Sequence, residues 1–347
     1  MTPLLALDPA YWQITTLKGI IALVVVPSTA AIIAFVFLFK FISFMQSRLG
    51  PMEAGPHGSL QLLAEAARFM QKEDLSPAEA DKRVFRWAPI IVMVATFLIY
   101  VVIPAGPNAI LEDLPGGIFY VLAIASLSVL GVLMAGWASA NKYALLGAIR
   151  AAGQLIAYEL PMVLAVLGVV IQAGTLNMQG IVGAQMGDGA EIFGIPIIGN
   201  PYILTQFLGM LIFITAVQAE LTQTPFDMPV AESEIVGGYM VEYTGVRFLL
   251  FFLAEFSSAF AFSAIAATLY LGGWALPDAW GIPRDVMHVA GPLVLLGKTM
   301  VFALIVFWVR FTFPRLREDQ LQKFAWKVLI PLSLANIMVT AVLKVVF

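Results

Sequence analysis

Eight stretches of predominantly apolar residues dominate the sequence, near 16–44, 84–104, 118–138, 153–174, 201–221, 244–271, 289–310 and 325–346. Each reaches the roughly 20 residues that a helix needs to cross a bilayer. In hydrocarbon every backbone N–H and C=O must be bonded internally, which leaves only helices and closed barrels. A barrel would alternate polar and apolar residues in short strands. These runs are instead continuous and rich in Leu, Ala, Val and Ile, so they predict helices. The expected fold is therefore all-α: a polytopic membrane protein with eight transmembrane helices forming a single membrane domain over 1–347. The first run is too long for a signal-peptide core, and the residues before it carry Asp8 but no lysine or arginine.

Composition narrows the function. Apolar residues make up 61% and charged residues 12% of the chain, against roughly 45–50% and 25% in soluble domains. That balance excludes a soluble enzyme and a disordered tail, and a net charge of -3 leaves no basic face for nucleic acid. With no cysteine there is no thiolate for zinc, an iron–sulfur cluster or nucleophilic catalysis, and only His57 and His288 offer imidazole. No metal site is expected, and any redox centre must be held by other chains.

Charge asymmetry orients the bundle, because Lys and Arg near helix ends stay on the cytoplasmic side. The odd-numbered connections hold twelve: Arg48, Arg68, Lys72, Lys82, Arg83, Arg86, Lys142, Arg150, Arg247, Arg315, Arg317 and Lys323. The even-numbered ones hold only Arg284. The odd loops are thus expected in the cytoplasm, with both termini on the outer side.

The first cytoplasmic loop, 46–87, contains SLQLLAEAARFMQKED. Gln61, Glu65, Arg68 and Lys72 recur at helical spacing on one face, and Leu62, Leu63, Ala66, Phe69 and Met70 fill the other. This predicts an amphipathic helix over 59–72, capped by Ser59 and lying in the membrane interface. It reads equally as a surface helix packed on its own bundle or as the lip of an opening for a lipophilic molecule.

Carboxylates stand where a membrane disfavours them. A charge at a helix centre costs about 2.5–3.5 kcal/mol on insertion scales, which makes such residues functional candidates. Glu159, Glu220, Glu255 and Lys298 fall in or at the ends of apolar runs. A second cytoplasmic segment, 221–247, adds Asp227, Glu232, Glu234 and Glu242 among apolar neighbours. Close buried carboxylates raise one another's pKa, as proton relays require. A transporter's ion site uses similar acids, so composition does not separate the two.

Four motifs occur in order: RLGPMEAGPHG with the amphipathic helix after it, AGWASANKYALLGAIRAAGQLIAYE, AELTQTPFDMPVAESEIVGGYMVEYTGVRFLLFFLAEF, and PRLREDQLQKFAWKVLIPLSL. From about Phe39 to the last helix the chain resembles the NuoH-type membrane subunit (NADH dehydrogenase subunit 1 family) of respiratory complex I, the proton-translocating NADH:quinone oxidoreductase. The resemblance implies a subunit of a bacterial inner membrane that anchors the redox arm, forms the quinone chamber and its entrance, and starts a chain of buried charges toward the pumping subunits. It implies quinone as substrate, and FMN and iron–sulfur clusters in partner subunits rather than here. Glu159, Glu220, Asp227, Glu232, Glu234 and Glu242 then correspond to the proton path; Glu255 and Lys298 join it as charges within apolar runs, where Glu255 reads either as a relay or as half of a buried pair with a lysine, and Lys298 is expected to pair with a carboxylate. Arg48, Glu65, Arg68, Phe69, Lys72 and Phe226 correspond to the chamber and its mouth. Lys142, Arg150, Arg247, Arg315, Arg317 and Asp319 would face the redox arm.

The chain departs from the family pattern at four places. Leu38-Phe39-Lys40 replaces a usual Glu-Arg-Lys, Pro229-Val230-Ala231-Glu232 lacks one carboxylate, Gln223 replaces a common arginine, and Met52-Glu53 replaces Asn-Arg. The rival readings are the membrane anchor of a homologous membrane-bound hydrogenase, and a stand-alone proton-coupled carrier.

Overall fold

The computed structural model describes residues 9–186, 200–276 and 284–346, with side chains from 16 in the first segment and 286 in the last. The chain ends and the Arg284 side chain, used above to assign sidedness, lie outside the described residues. Those described form helices joined by turns, with no strand among them. Among the described residues, seven helices are long and apolar enough to cross a membrane.

The first, α1 (Pro9–Ile33), continues through a π-helical stretch, Ala34–Phe41, to Met45. The short α2 (Gln61–Gln71) follows, then α3 (Lys82–Tyr100), α4 (Gly117–Ala138) and α5 (Lys142–Ala173). Asp81 starts α3 by accepting from the Arg83 and Val84 amides, and Asn141 starts α5 by accepting from Tyr143. Gly174 ends α5 at φ 73°, a left-handed turn that glycine adopts without strain. Asn177 then caps α6 (Met178–Gln185), a buried short helix outside the eight apolar runs. Its Gln185 donates to the Thr268 carbonyl.

The fifth expected span is where the structure departs most. A single turn, Tyr202–Thr205, is separated from α7 (Phe207–Glu220) at Gln206, whose φ of -115° breaks the helix. Gln206 donates to Thr340 and accepts from Asn336, so a buried polar side chain finds its partners at the break. At 14 residues, α7 is about 21 Å long, short of the roughly 30 Å hydrocarbon core. The bundle closes with α8 (Gly245–Leu271), α9 (Arg284–Thr312) and α10 (Glu318–Val346).

Close helix approach comes from small residues, as expected where lipid supplies no hydrophobic drive between helices. A side chain at Gly136 would strike Ala148, and one at Gly131 would strike Val92. One large core, including Tyr158, Phe213, Phe256, Tyr270 and Phe307, joins α1 and α3 to α10, and a smaller one around Phe85, Tyr239 and Phe251 lies beneath the 221–244 segment.

Candidate functional site

The segment 221–244 is held down by side chains of the neighbouring helices. Gln154 on α5 donates to the Ala219 and Phe226 carbonyls at 2.7 and 2.8 Å, and Gln218 on α7 to the Thr224 carbonyl at 2.7 Å. The Leu316 amide donates to Pro225. Gly147 lets the segment rest on α5, since a Cβ there would lie 2.6 Å from the Gly238 Cα and 2.8 Å from the Pro229 carbonyl oxygen. Phe226, expected on a chamber wall, is instead turned into the core, 4% exposed and edge-on to Tyr158 at 5.1 Å.

Above this support lies a cavity of about 570 Å³ bounded by Asp227, Glu232, Glu255, Arg310, Arg315 and Phe252, among others. Two ion pairs stand on its wall: Arg315 to Asp227 at 2.9 Å and Arg310 to Glu255 at 3.4 Å. Arg315 also donates to Ser233, and Gln223 reaches Glu255 at 3.4 Å. Burial pushes the Asp227 carboxyl above the usual carboxylate range, outweighing Arg315 and Arg310, which pull it down, and Glu232 adds to the rise. Beneath the wall, burial also raises the Tyr239 and Tyr243 hydroxyls, so both are neutral donors at physiological pH. Arg310 lies within 6 Å of the Phe256, Phe307 and Phe311 rings, a setting that favours a weakly hydrated guanidinium. Sequence reasoning missed Arg310, whose only signal was a single arginine at the end of an apolar run.

Next to it an apolar crevice of about 220 Å³ runs between α1, α2 and α8. Ala30 and Ala34 open it on one side, and Leu62, Ala66 and Phe69 face it from α2. Phe252 borders both spaces. Phe69 stacks on Phe248 at 5.4 Å, tying α2 to α8, and Phe252 packs on Phe256 at 4.5 Å. Glu65 is on the crevice wall, where it accepts from Gln61. Arg48 and Arg68 are exposed, and Lys72 lies 4.8 Å over the Phe69 ring. Leu60, not Ser59, occupies the cap position of α2, and no side chain caps it; the Ser59 amide donates to the Pro56 carbonyl in the preceding turn.

The other expected site residues are spread along the same end of the bundle or below it. Glu159 and Glu220, on the packed helices α5 and α7, are close enough to interact electrostatically. Glu234 pairs with Arg150 at 2.7 Å, half exposed, and Arg150 reaches Glu318 at 3.7 Å. Glu242 accepts from Asn141, and the exposed Lys142 borders the same shallow groove. Arg247 pairs with Asp74 and covers the Phe85 ring. Arg317 and Lys323 bracket Asp319 on the surface, an arrangement worth little to stability. Lys298 corrects its expectation: it donates to the Leu271 and Ala275 carbonyls at 2.7 and 2.6 Å and meets no carboxylate among the described residues. The end of α8 leaves carbonyls unpaired at the negative pole of the helix, which is where an ammonium is best placed. No group of acids and histidines among the described residues could hold a metal.

A charged cavity and an apolar crevice thus share Phe252 as a wall residue. The profile of the family described as NADH dehydrogenase matches residues 17–341. The chain belongs to that family. It is 44% identical to the H-type subunit of NADH-quinone oxidoreductase from Brevibacillus brevis over 94% of both chains. The proteins of the same name from Dehalococcoides mccartyi and Geobacillus kaustophilus are 44% and 43% identical, covering 87% and 89% of this chain and 79% and 87% of their own. Such relatives are, by name, subunits of an oxidoreductase complex.

Proposed function

We propose that this chain is the membrane subunit of an NADH-quinone oxidoreductase that admits quinone from the bilayer and couples its reduction to proton movement. The observation that carries the reading is Phe252, which lines both an apolar crevice and a cavity walled by two arginine–carboxylate pairs. A quinone is amphipathic in the same way. Its isoprenoid tail fits among Ala34, Phe69 and Phe252, and its carbonyls meet donors on Arg310 and Arg315.

Electrons come from flavin and iron–sulfur clusters of partner subunits, which dock on the face carrying Lys142, Arg150, Arg247, Arg315, Arg317 and Asp319. That face is cytoplasmic by the distribution of Lys and Arg. Reduction places new charge in the cavity, and low-dielectric coupling to Asp227 and Glu255 shifts their protonation. Glu220 and Glu159 lead the charge into the membrane. The names of the relatives favour this reading over a hydrogenase anchor or a stand-alone carrier.

The test is a quinone analogue carrying a photoreactive group midway along its tail, applied to the intact complex in native membranes. Label on peptides containing Phe69 and Leu249–Phe256, competed by excess natural quinone, is the expected result. Label distributed over lipid-facing helices without competition would overturn the assignment.

A further inference from the structure

Arg150, Arg247, Arg310, Arg315 and Arg317 each hold a carboxylate at 2.7–3.5 Å. Arg83 and Arg86, at the start of α3, differ: both are exposed, and neither guanidinium meets an acid or a hydrogen-bond acceptor among the described residues. The acids nearest in sequence are placed otherwise. Asp81 accepts from the Arg83 and Val84 amides at 3.1 and 3.5 Å, and Glu79 lines the shallow groove beside Lys142.

The face that carries the two arginines changes character along the helix. Counting from Arg83, the positions three, four, seven and eleven residues on are Arg86, Trp87, Ile90 and Val94. At 3.6 residues per turn all five fall within an arc of about 100°. All are exposed, Trp87 at 59%, whereas Phe85, Ala88 and Ala95 on the other side of the helix are buried. That other side is the one packed on α4, where Gly131 closes on Val92. A rise of 1.5 Å per residue sets Arg83 and Arg86 about 4.5 Å apart along the axis and Val94 about 12 Å beyond Arg86. The face thus runs from two unpaired cations through an indole to aliphatic side chains, within a helix long and apolar enough to span a membrane.

That order matches a phospholipid lying against protein. Guanidinium forks donate in pairs to phosphate oxygens, tryptophan settles where headgroups give way to hydrocarbon, and aliphatic side chains pack on an acyl chain. The positive pole of α3 lies at the same end. A zwitterionic headgroup would bring its own cation beside two arginines, so charge complementarity selects a lipid of net negative charge.

We propose that Arg83, Arg86 and Trp87 form a headgroup site for an anionic phospholipid of the surrounding leaflet, whose acyl chain lies along Ile90 and Val94. The site requires only that α3 spans a membrane, so it is independent of the quinone reading above.

Cryo-EM of the intact complex in nanodiscs of equal parts phosphatidylglycerol and phosphatidylcholine tests the site. An ordered phosphate within hydrogen-bond distance of both guanidinium groups, with chain density along Ile90 and Val94, is the expected result. Either arginine paired with an acid of a neighbouring subunit, or no ordered phosphate between the two, overturns it. Phosphatidylglycerol that stays with the complex through delipidating detergent washes, counted by mass spectrometry, should be lost from R83Q/R86Q. The control K323Q/K327Q, which removes the same charge from exposed positions on α10, should retain it. Equal loss from both variants would reduce the effect to a general attraction between cations and anionic lipid and overturn the proposal. If R83Q/R86Q does not assemble, the wild-type density decides. A complex that holds the phosphate but reduces no quinone counts against the functional reading alone.

Discussion

Arg315 holds Asp227 at 2.9 Å, and this pair fastens the start of the acidic segment to the connection between α9 and α10. Burial nevertheless dominates the Asp227 carboxyl and raises its pKa. A group whose folded pKa is raised contributes stability that is complete below its unfolded value, about 3.9, and is lost as pH rises through the folded value. Asp227→Asn has no such titration. The thermal stability of the wild-type complex relative to D227N should therefore fall as pH rises above the unfolded value, about 3.9. In Arg315→Met the largest influence lowering the pKa is gone, so the fall should begin at the same pH and extend to higher pH. Thermal inactivation of quinone reductase activity across that range checks both, and a difference that grows with pH would mean that the ion pair outweighs burial.

Phe69 faces the crevice from α2 and stacks on Phe248. Phe69→Glu places a second carboxylate beside Glu65 in an otherwise apolar passage, and an unpaired charge there is costly to desolvate. KM for long-tailed quinone should rise by about tenfold or more, with short-tailed analogues much less affected. Steady-state kinetics with both substrates decides, and an equal effect on the two would reduce α2 to scaffold.

Much of the fold was legible because hydrocarbon imposes one rule on the backbone: the run at 16–44 became a helical stretch over Thr16–Met45, and 244–271 became Gly245–Leu271. The rule says nothing about helix continuing outside the bilayer, so α5 begins at Lys142, eleven residues before its apolar run. Nor does it see a break that tertiary hydrogen bonds create, as at Gln206. At the site, residue type pointed to Asp227 and Glu255 because charge in an apolar context needs a reason, whereas the resemblance put Arg315 on the face toward the redox arm and the structure pairs it with Asp227 on the cavity wall. Residue type could not tell that Phe226 turns inward or that Arg310 belongs with Glu255, since both follow from which helix face meets which neighbour.

At Gly147 the backbone of the acidic segment rests directly on α5. In Gly147→Ala the new methyl would meet backbone atoms of Gly238 and Pro229, which cannot swing away as a flexible side chain can. Overpacking of this kind costs about 1–3 kcal/mol. The segment should lift, widening the cavity and loosening Asp227 and Glu232 together. Lower thermostability of the assembled complex together with reduced quinone reductase activity is the expected outcome, and a variant indistinguishable from wild type in both would show that the segment is free to shift.

Lys298 distinguishes a structural cation from a relay. Its ammonium donates to the Leu271 and Ala275 carbonyls where α8 ends, and hydrogen bonds to a charged group contribute about 1.5–3 kcal/mol each. Lys298→Met leaves both carbonyls without that donor, while Lys298→Gln keeps an N–H of shorter reach. If the residue anchors the helix end, thermostability should fall in the order wild type, K298Q, K298M, and both assembled variants should keep the wild-type ratio of protons moved to quinone reduced. Loss of that ratio with stability intact would instead put Lys298 on the proton path. The order is informative because both variants remove the buried charge and only methionine removes the N–H donors as well. Relief of charge burial alone would make both variants more stable than the wild type, so the predicted order holds only if these carbonyls need the donor.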